Sequence, residues 1–280
     1  MKFRYLVFVV VLAVVAAVGI AMWRGSGPLP DPEGCSAKLA GRQVDLTTEQ
    51  AENATLIAAI GVGRGLPARA VSIALATAYQ ESKIRNLTHG DRDSLGLFQQ
   101  RPSQGWGTAK QVRDPYHATN AFYDALEKIP DYKSLRITEA AQEVQRSGFP
   151  EAYEAHAPDA RILASVLTGY SPGGLFSCVV HQPTGRGSAA RVVRELQRAF
   201  GQIDVARTGS RQDVAVTLPT GQDGARLGWS VAQFVVAHGV RLQPESVAYS
   251  GKRWQVGRAS EAGWRRGAVG GPGTVRISMG

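Results

Sequence analysis

The sequence predicts a mainly helical domain with one short irregular insert, followed by a small α+β domain, both behind an apolar N-terminal helix. Three observations lead to this prediction: an uninterrupted apolar run near the N-terminus, helix start and stop signals between residues 47 and 168, and a change in charge near residue 180. The chain has 280 residues, 44% of them hydrophobic and 20% charged. It can therefore bury a core, and disorder of the whole chain is excluded.

The apolar run extends over residues 5–23, with Lys2 and Arg4 before it and Arg24 after it. As a helix it would be about 28 Å long, close to the thickness of a hydrocarbon core. The leading positive charges favour a cytoplasmic N-terminus. We therefore predict a transmembrane signal-anchor helix over residues 1–25 and a single-pass cell-membrane protein with extracytoplasmic domains. A cleaved signal peptide, which would make the protein secreted, is the alternative.

A polar segment with three prolines in five positions follows, and we interpret residues 26–35 as a stiff tether. The chain has two cysteines, Cys35 and Cys178. In an oxidising compartment we expect them to form a disulfide that joins the ends of a first globular domain over residues 36–180. Two free thiols are the alternative.

Helix signals follow one another closely in that domain. Thr47 and Gln50 form a capping-box pattern that begins a helix towards Arg64, and Pro67 begins the next helix, which continues to about Arg85. Further helices are predicted from Asp114-Pro115 through Ile129, from Thr138 through Ser147, and from Pro150 and Pro158. Glycines and a proline interrupt the pattern over residues 86–107, which predicts turns and a small β-hairpin.

Glu81 is the first candidate for chemistry. Apolar residues of the helix from Pro67 form a stripe at spacings of three and four, and Glu81 occupies the next position on that stripe. A carboxyl group there loses hydration and meets the negative end of the helix dipole, and both effects raise its pKa. A carboxylic acid that is still protonated near neutral pH suits general-acid cleavage of a glycosidic bond. The alternative is a solvated Glu81 paired with a nearby Lys or Arg.

The residues after Glu81 resemble the signature of the lysozyme-like lytic transglycosylases. In that family a helix-terminal Glu-Ser precedes a short hairpin carrying Ser-x-Gly-Leu-(Met/Phe)-Gln, and here Glu81-Ser82 precedes Ser94-Leu95-Gly96-Leu97-Phe98-Gln99. Asp114-Pro115, Asn120 and Tyr123 resemble the family's next helix. The likeness covers about residues 48–168 and is closest to membrane-anchored actinobacterial members, which share the run from Gly90 to Ser103.

The resemblance implies a lysozyme-like fold for residues 36–180 and a peptidoglycan lytic transglycosylase that needs no cofactor. Glu81 would protonate the oxygen between N-acetylmuramic acid and N-acetylglucosamine. It would then remove a proton from the muramoyl hydroxymethyl group to leave an anhydro end. The motif residues expected to bind the glycan strand are Ser94, Gly96, Phe98, Gln99 and Gln100.

Two aromatic residues are further candidates for substrate binding. The family's Ala-Tyr-Asn-Ala-Gly run, whose tyrosine lies near the acid, does not occur in this sequence, and Tyr153 is the nearest substitute. A packing role is the alternative for Tyr153. Trp106 lies in a loop between two glycines, where it could stack on a sugar face or cap the hairpin.

Two other functions stay open. A hydrolytic muramidase on the same fold would need a second carboxylate, for which Asp91 and Asp93 are the candidates. The run Gly-Asp-Arg-Asp is equally typical of a turn. A non-catalytic cell-wall-binding protein is the third hypothesis.

Residues 181–280 contain nearly all of the net charge of +9, with 14 Lys and Arg against 6 Asp and Glu, whereas residues 1–180 contain 18 against 17. We predict helices over residues 189–200 and 229–238 and strands around residues 247–249, 253–256 and 274–278. The basic charge suits an anionic wall polymer or a lipid surface. We expect no nucleic-acid partner in an exported protein without a nucleic-acid-binding motif, and no metal site, because the five histidines lack zinc-ligand spacing.

Overall fold

The computed structural model describes residues 10, 11, 13–17, 19, 20, 30–149, 151–171, 173–181, 185–209, 213–267 and 271–280. The chain divides into two compact units, Met1–Pro32 and Glu33–Gly280. In the first unit the described residues between 10 and 20 are helical, and residues 30–32 have no regular structure.

The predicted transmembrane helix over residues 1–25 is not upheld. Most of its residues outside 10–20, and residues 26–29 of the predicted tether, lie outside the described residues. In the part of the chain that the structure describes, no helix is both long enough and apolar enough to cross a bilayer. This finding contradicts the predicted membrane anchor and the single-pass cell-membrane localisation.

A three-stranded sheet begins the second unit. Strand β1 (Gly34–Leu39) pairs with β2 (Arg42–Leu46) on one side and with β3 (Phe176–Val179) on the other, in antiparallel order β2-β1-β3. Cys35 and Cys178 are directly opposed across β1 and β3 and are joined by a disulfide, which confirms the predicted bond. The sheet and the disulfide bring together the two ends of the segment between them.

That segment is mainly helical. Its helices are α1 (Thr48–Gly63), α2 (Ala68–Ser82), α3 (Ala109–Val112), α4 (Pro115–Leu126), α5 (Ile137–Gln145) and α6 (Ala157–Leu167), with 3₁₀ turns at Pro102–Gln104 and Ala152–His156. The predicted capping box of Thr47 and Gln50 is present. Residues 86–107 are all described; besides the 3₁₀ turn at Pro102–Gln104 they contain two isolated β-bridges, and no pair of strands forms the predicted hairpin.

The rest of the chain forms a six-stranded antiparallel sheet with helices. The helices are α7 (Ala189–Phe200), α8 (Gly221–Ala237) and α9 (Gly239–Leu242). The strands are β4 (Val205–Thr208), β5 (Asp213–Thr217), β6 (Ser246–Tyr249), β7 (Lys252–Gln255), β8 (Arg265–Arg266) and β9 (Thr274–Ser278), in the order β4-β5-β9-β6-β7-β8. A 3₁₀ helix, Gly257–Ala262, follows β7. Helix α7 has the predicted bounds, whereas α8 begins well before the predicted residue 229.

The predicted fold class is wrong. A mainly α lysozyme-like domain with a small hairpin, joined to a small α+β domain, does not describe a chain that is about 49% helix and 17% strand with two antiparallel sheets, one of six strands. The strands that were not predicted are short. Some pair with strands distant in sequence, β1 with β3 and β5 with β9, and others form local hairpins, β1 with β2 and β4 with β5. Local periodicity does not report such pairings, which depend on cross-strand packing.

Residues 33–280 share one hydrophobic core. Helix α1 packs against α8, and buried apolar residues from Cys35 to Met279 form a single cluster. A Cβ atom on Gly63, at the end of α1, would be 2.6 Å from the carbonyl oxygen of Phe200, at the end of α7. The boundary near residue 180 that the charge distribution predicts lies inside this unit, so segments 36–180 and 181–280 share a packed interface.

Gly63→Ala should lower the free energy of unfolding by about 1–2 kcal/mol, although alanine is the better helix former. The added methyl group meets backbone atoms of Phe200, which cannot move aside as a flexible side chain would. The matched control is Gly148→Ala, where nothing lies within 4 Å of the added atom. We expect it to change stability by less than about 0.5 kcal/mol. Equal effects of the two substitutions in chemical denaturation would contradict the close packing of α1 and α7.

Candidate active site at the C-terminal end of helix α2

Helix α2 runs through the core. Every residue from 70 to 78 is buried, and five of these nine residues are alanine or serine, which leaves room for neighbouring helices. The helix ends at Ser82, and Lys83 and Ile84 then adopt positive φ angles of 57°. The backbone N–H groups of Lys83 and Ile84 donate to the carbonyls of Tyr79 and Ala78 at 2.9 and 3.0 Å. This reversal brings the last turn of α2, with Glu81, to the edge of the core.

Side chains of α1 form hydrogen bonds with the backbone just after α2, where the chain reverses direction. The Gln50 amide donates to the Lys83 carbonyl oxygen at 2.8 Å, and the buried Asn53 amide donates to the Ile84 carbonyl oxygen at 2.9 Å. Carbonyl groups at a helix end lack partners inside the helix, and burying them without partners would be costly. Helix α1 therefore fixes the backbone on which Glu81 stands.

The loop that carries the transglycosylase-like motif is attached to the same helix end. The Ser82 hydroxyl donates to the Leu97 carbonyl oxygen at 2.7 Å, and the Gln145 amide, from α5, donates to the Phe98 carbonyl oxygen at 2.7 Å. Ser82 is buried, so its hydrogen bond is shielded from water. The two neighbouring residues therefore have different roles. Glu81 carries the candidate catalytic carboxyl group, and Ser82 holds the loop in place through its hydrogen bond to Leu97.

The Glu81 carboxyl group is half-buried between two polar side chains. Its Oε1 atom accepts a hydrogen bond from the Tyr153 hydroxyl at 2.7 Å, and the Gln145 side chain, whose amide is hydrogen-bonded to the Phe98 carbonyl oxygen, lies close enough to the carboxyl group to affect its pKa. Loss of hydration raises the pKa of Glu81, and this effect outweighs the two hydrogen bonds, which lower it. Glu81 therefore keeps its proton to a higher pH than a solvated glutamate does.

Tyr153 is fully buried, and burial raises the pKa of its phenol. It therefore stays neutral and donates a hydrogen bond to Glu81, and the Ser147 side chain lies close enough to the same hydroxyl to lower its pKa. The predicted proximity of Tyr153 to the acid is thus present, with the aromatic ring packed in the core.

Three of the predicted substrate-binding side chains face the protein. Phe98 is fully buried and stacks on Phe122 with ring centroids 4.6 Å apart. Gln100 is buried and donates its amide to the Ala118 carbonyl oxygen at 3.1 Å, and Ser94 is buried as well. Contact with a substrate stays a prediction for these residues. Their contacts with the rest of the protein stabilise the conformation of the loop.

Gly96 and Gln99 complete the loop. Gly96 has a φ of 76°, and a Cβ atom there would be 2.4 Å from the Val112 carbonyl oxygen, so no larger residue fits. The Gln99 amide is half-buried and donates to the His89 and Gly96 carbonyl oxygens at 3.4 and 3.3 Å. The absence of a side chain at Gly96 thus permits close packing against the backbone of Val112. The sequence had suggested that it permits close approach of the backbone to a sugar ring.

The two candidate second carboxylates differ in environment. Asp93 accepts hydrogen bonds from the Arg101 guanidinium at 2.9 Å and from the Ser103 backbone N–H and hydroxyl at 2.8 and 3.0 Å. These bonds, led by the Ser103 N–H, lower the pKa of Asp93 to about 2. The Asp91 side chain is 93% exposed. Asp93 is therefore a permanent carboxylate engaged in loop structure.

Trp106 is half-buried and packs against the core, and its carbonyl oxygen lies 3.2 Å from the His117 ring nitrogen. This arrangement favours the capping role. Stacking on a sugar stays a prediction.

Sequence patterns missed two residues near the acid, Gln145 and Ser147. They lie on or just after α5, and only the fold brings them to Glu81 and Tyr153. Phe149 follows them in the chain and is 78% exposed, and its backbone N–H donates to the Ser147 hydroxyl oxygen at 3.1 Å. Within the described ranges, no group of three metal-ligating side chains is found.

Comparison of the chain with protein-family models and with curated proteins gives no match. The interpretation of Glu81 therefore depends on the motif and on the geometry described above. The likeness to lytic transglycosylases stays a hypothesis.

Tyr153→Phe should raise the pKa of Glu81 further, because it removes the hydrogen bond that stabilises the charged carboxylate. The measurement is an NMR titration of ¹³C-labelled glutamate carboxyl groups. Tyr170→Phe is the matched control, since the half-exposed Tyr170 ring contacts Arg226. We expect no change in the pKa of Glu81 in the Tyr170→Phe variant. An ordinary glutamate pKa for Glu81 in the unaltered protein would contradict the site as described.

Proposed function

We propose that the protein is a peptidoglycan lytic transglycosylase in which Glu81 is the single general acid and base. The observation that carries the proposal is the half-buried Glu81 carboxyl group with its raised pKa and its hydrogen bond from Tyr153. A protonated carboxyl group can deliver its proton to a leaving glycosidic oxygen, and the resulting carboxylate can then act as a base.

The reaction balances with one carboxyl group. Glu81 gives its proton to the oxygen that links N-acetylmuramic acid to N-acetylglucosamine, the bond to the muramoyl C1 breaks, and positive charge develops there. The Glu81 carboxylate then removes the proton of the muramoyl C6 hydroxyl, whose oxygen bonds to C1 and closes the anhydro ring. One C–O bond has broken, one has formed, no water is consumed and Glu81 is protonated again.

Tyr153 and Gln145 act while the Glu81 carboxyl group is ionised, between the two proton transfers. Tyr153 is hydrogen-bonded to the Glu81 carboxyl group, Gln145 lies beside it, and each side chain lowers the pKa of Glu81. They therefore stabilise the carboxylate that exists between the two proton transfers. Without them, burial alone would make loss of the proton from Glu81 too costly.

The choice of substrate class depends on the sequence resemblance. Glu81-Ser82 and the run Ser94–Gln99 are similar to the family signature, and the Ser82 hydrogen bond to Leu97 gives that pairing a physical reason. The disulfide between Cys35 and Cys178 is typical of oxidising compartments, in which cell-wall polymers are found. Phe149 supplies an exposed aromatic ring close to Ser147 that suits stacking on a sugar.

The environment of the aspartates favours this reaction over hydrolysis. A muramidase needs a second carboxylate as base or nucleophile. Both Asp93 oxygens accept hydrogen bonds from Arg101 or Ser103, and the lowered pKa makes this group a weak base. Asp91 is solvated. The single-carboxylate route uses neither group.

Glu81→Gln should reduce cleavage of purified glycan strands by at least about 10²-fold, because glutamine cannot donate the proton. The measurement is chromatography with mass spectrometry of the products, in which the unaltered protein should produce anhydro-muramoyl ends. Glu143→Gln is the matched control, since Glu143 is an exposed carboxylate on α5. It should retain activity within about twofold, as expected of a substitution remote from the reacting groups.

The products also separate the alternatives. Reducing muramoyl ends would identify hydrolysis and contradict the anhydro-forming step. Absence of cleavage by the unaltered protein would contradict an enzymatic function altogether. Equal activity of the Glu81→Gln and Glu143→Gln variants would contradict the assignment of Glu81.

A further inference from the structure

The outer face of the six-stranded sheet carries a row of basic side chains. Successive cross-strand partners across the sheet are Ala206, Ala215, Arg276, Ala248, Arg253 and Arg265. Directly opposed residues of antiparallel strands share one face. Three arginines therefore stand in one line across strands β9, β6, β7 and β8, which covers about 14 Å at the usual strand spacing.

Small residues between the arginines form the floor of a groove. Ala248 separates Arg276 from Arg253, and Ala215 lies on the other side of Arg276. These residues, with hydroxyl groups from Ser246, Thr274 and Ser278, line a cavity of about 400 Å³. The groove is long enough for several units of a polymer and has hydrogen-bonding groups along it.

The arginines have no partner in the part of the chain that the structure describes. No hydrogen bond or ion pair engages the guanidinium groups of Arg253, Arg265 or Arg276 there. The Nε atom of Arg253 is buried and unsatisfied. The one acidic residue in the groove, Asp213, accepts hydrogen bonds from the Ser278 hydroxyl and the Met279 N–H at 3.2 and 2.9 Å.

Among the described residues, this face has none of the groups that recognise nucleobases or insert into lipid. Tyr249 and Trp254 are fully buried and alternate with Ala248 and Arg253, so they point to the core side of the sheet. Sheets that bind single-stranded nucleic acid present aromatic side chains for base stacking. Among the described residues of 181–280, the one exposed large apolar side chain is Val240, which lies on α9 and not on this sheet.

We infer that this groove binds a flexible phosphodiester polymer of sugars or polyols, an anionic wall polymer in chemical class. Arg253 and Arg276 contact successive phosphate groups from opposite sides of Ala248, and Arg265 extends the contact at the sheet edge. Guanidinium groups bind phosphate oxygens in a planar, two-point geometry, and each bond is strengthened by charge. The site lies on a different element from Glu81 and does not depend on glycan cleavage.

The test is binding of purified poly(glycerol phosphate) to the full chain, measured by isothermal titration calorimetry. Arg253→Gln with Arg276→Gln should weaken binding at least about tenfold, since two charge-assisted contacts are lost. Affinity of the unaltered protein should fall about 20- to 40-fold between roughly 50 and 200 mM salt, as release of counterions from about three phosphates requires. The salt dependence of the double variant should be shallower.

The matched control is Arg194→Gln with Arg207→Gln, which removes the same charge. Arg194 is an exposed residue of α7, and Arg207 lies opposite Val214 on the other side of the sheet. We expect less than about a twofold loss, because these arginines do not line the groove. Arg276→Glu is a second variant at an exposed position, where misfolding is not a concern. It should weaken binding at least as much as the double variant.

Two other probes decide the class of ligand. For oligo(dT) of matched charge and for phosphatidylglycerol vesicles, the loss of affinity caused by substituting Arg253 and Arg276 should be at least about tenfold smaller than the loss for poly(glycerol phosphate). If either is bound as tightly through these arginines as poly(glycerol phosphate), the wall-polymer assignment is wrong. If the double variant and its control behave alike, the groove is not the site. Glu81→Gln should bind like the unaltered protein, so failure of the catalytic proposal would leave this result unchanged.

Discussion

Helix α2 ends beside the core, and the polar groups at that end must be satisfied by the protein. Its central residues are buried, so the backbone that follows Ser82 depends on side chains from α1 and on the motif loop for hydrogen bonds. Gln50 and Asn53 satisfy two carbonyl groups, and Ser82 binds the loop. Glu81 stands at this end with its carboxyl group half-buried, and the loss of hydration that burial causes is the physical origin of its raised pKa.

The two proposed activities use different chemistry in one compact unit. At the end of α2, a single carboxyl group is kept protonated by burial and stabilised after ionisation by Tyr153 and Gln145. On the six-stranded sheet, three arginines that have no partner among the described residues form a line of positive charge. Helix α8 packs against both α1 and β6, so the two sites belong to one compact unit. A protein that retains a wall polymer while it cleaves glycan strands would benefit from that connection.

Local signals in the sequence predicted several elements well. The capping box of Thr47, the Asp114 cap, the helix over residues 189–200 and the disulfide are all present, because each depends on residues close in sequence or on a residue type with one common role. The strands β1 to β5 were missed: each is only four to six residues long, and the β1–β3 and β5–β9 pairings join residues distant in sequence. Phe98 and Gly96 were assigned to substrate, yet they contact Phe122 and the Val112 carbonyl, and no pattern at the motif reports such neighbours.

The most direct test of the account is the free energy of unfolding of the unaltered protein and of Glu81→Gln, measured from about pH 4 to pH 8. Burial makes the folded protein bind the Glu81 proton more tightly than the unfolded chain does, so the stabilising effect of this group is complete at low pH and is lost as pH rises through its raised pKa. The account predicts that Glu81→Gln gains stability relative to the unaltered protein as pH rises. A difference that is independent of pH would show a solvated carboxylate and would contradict the central claim.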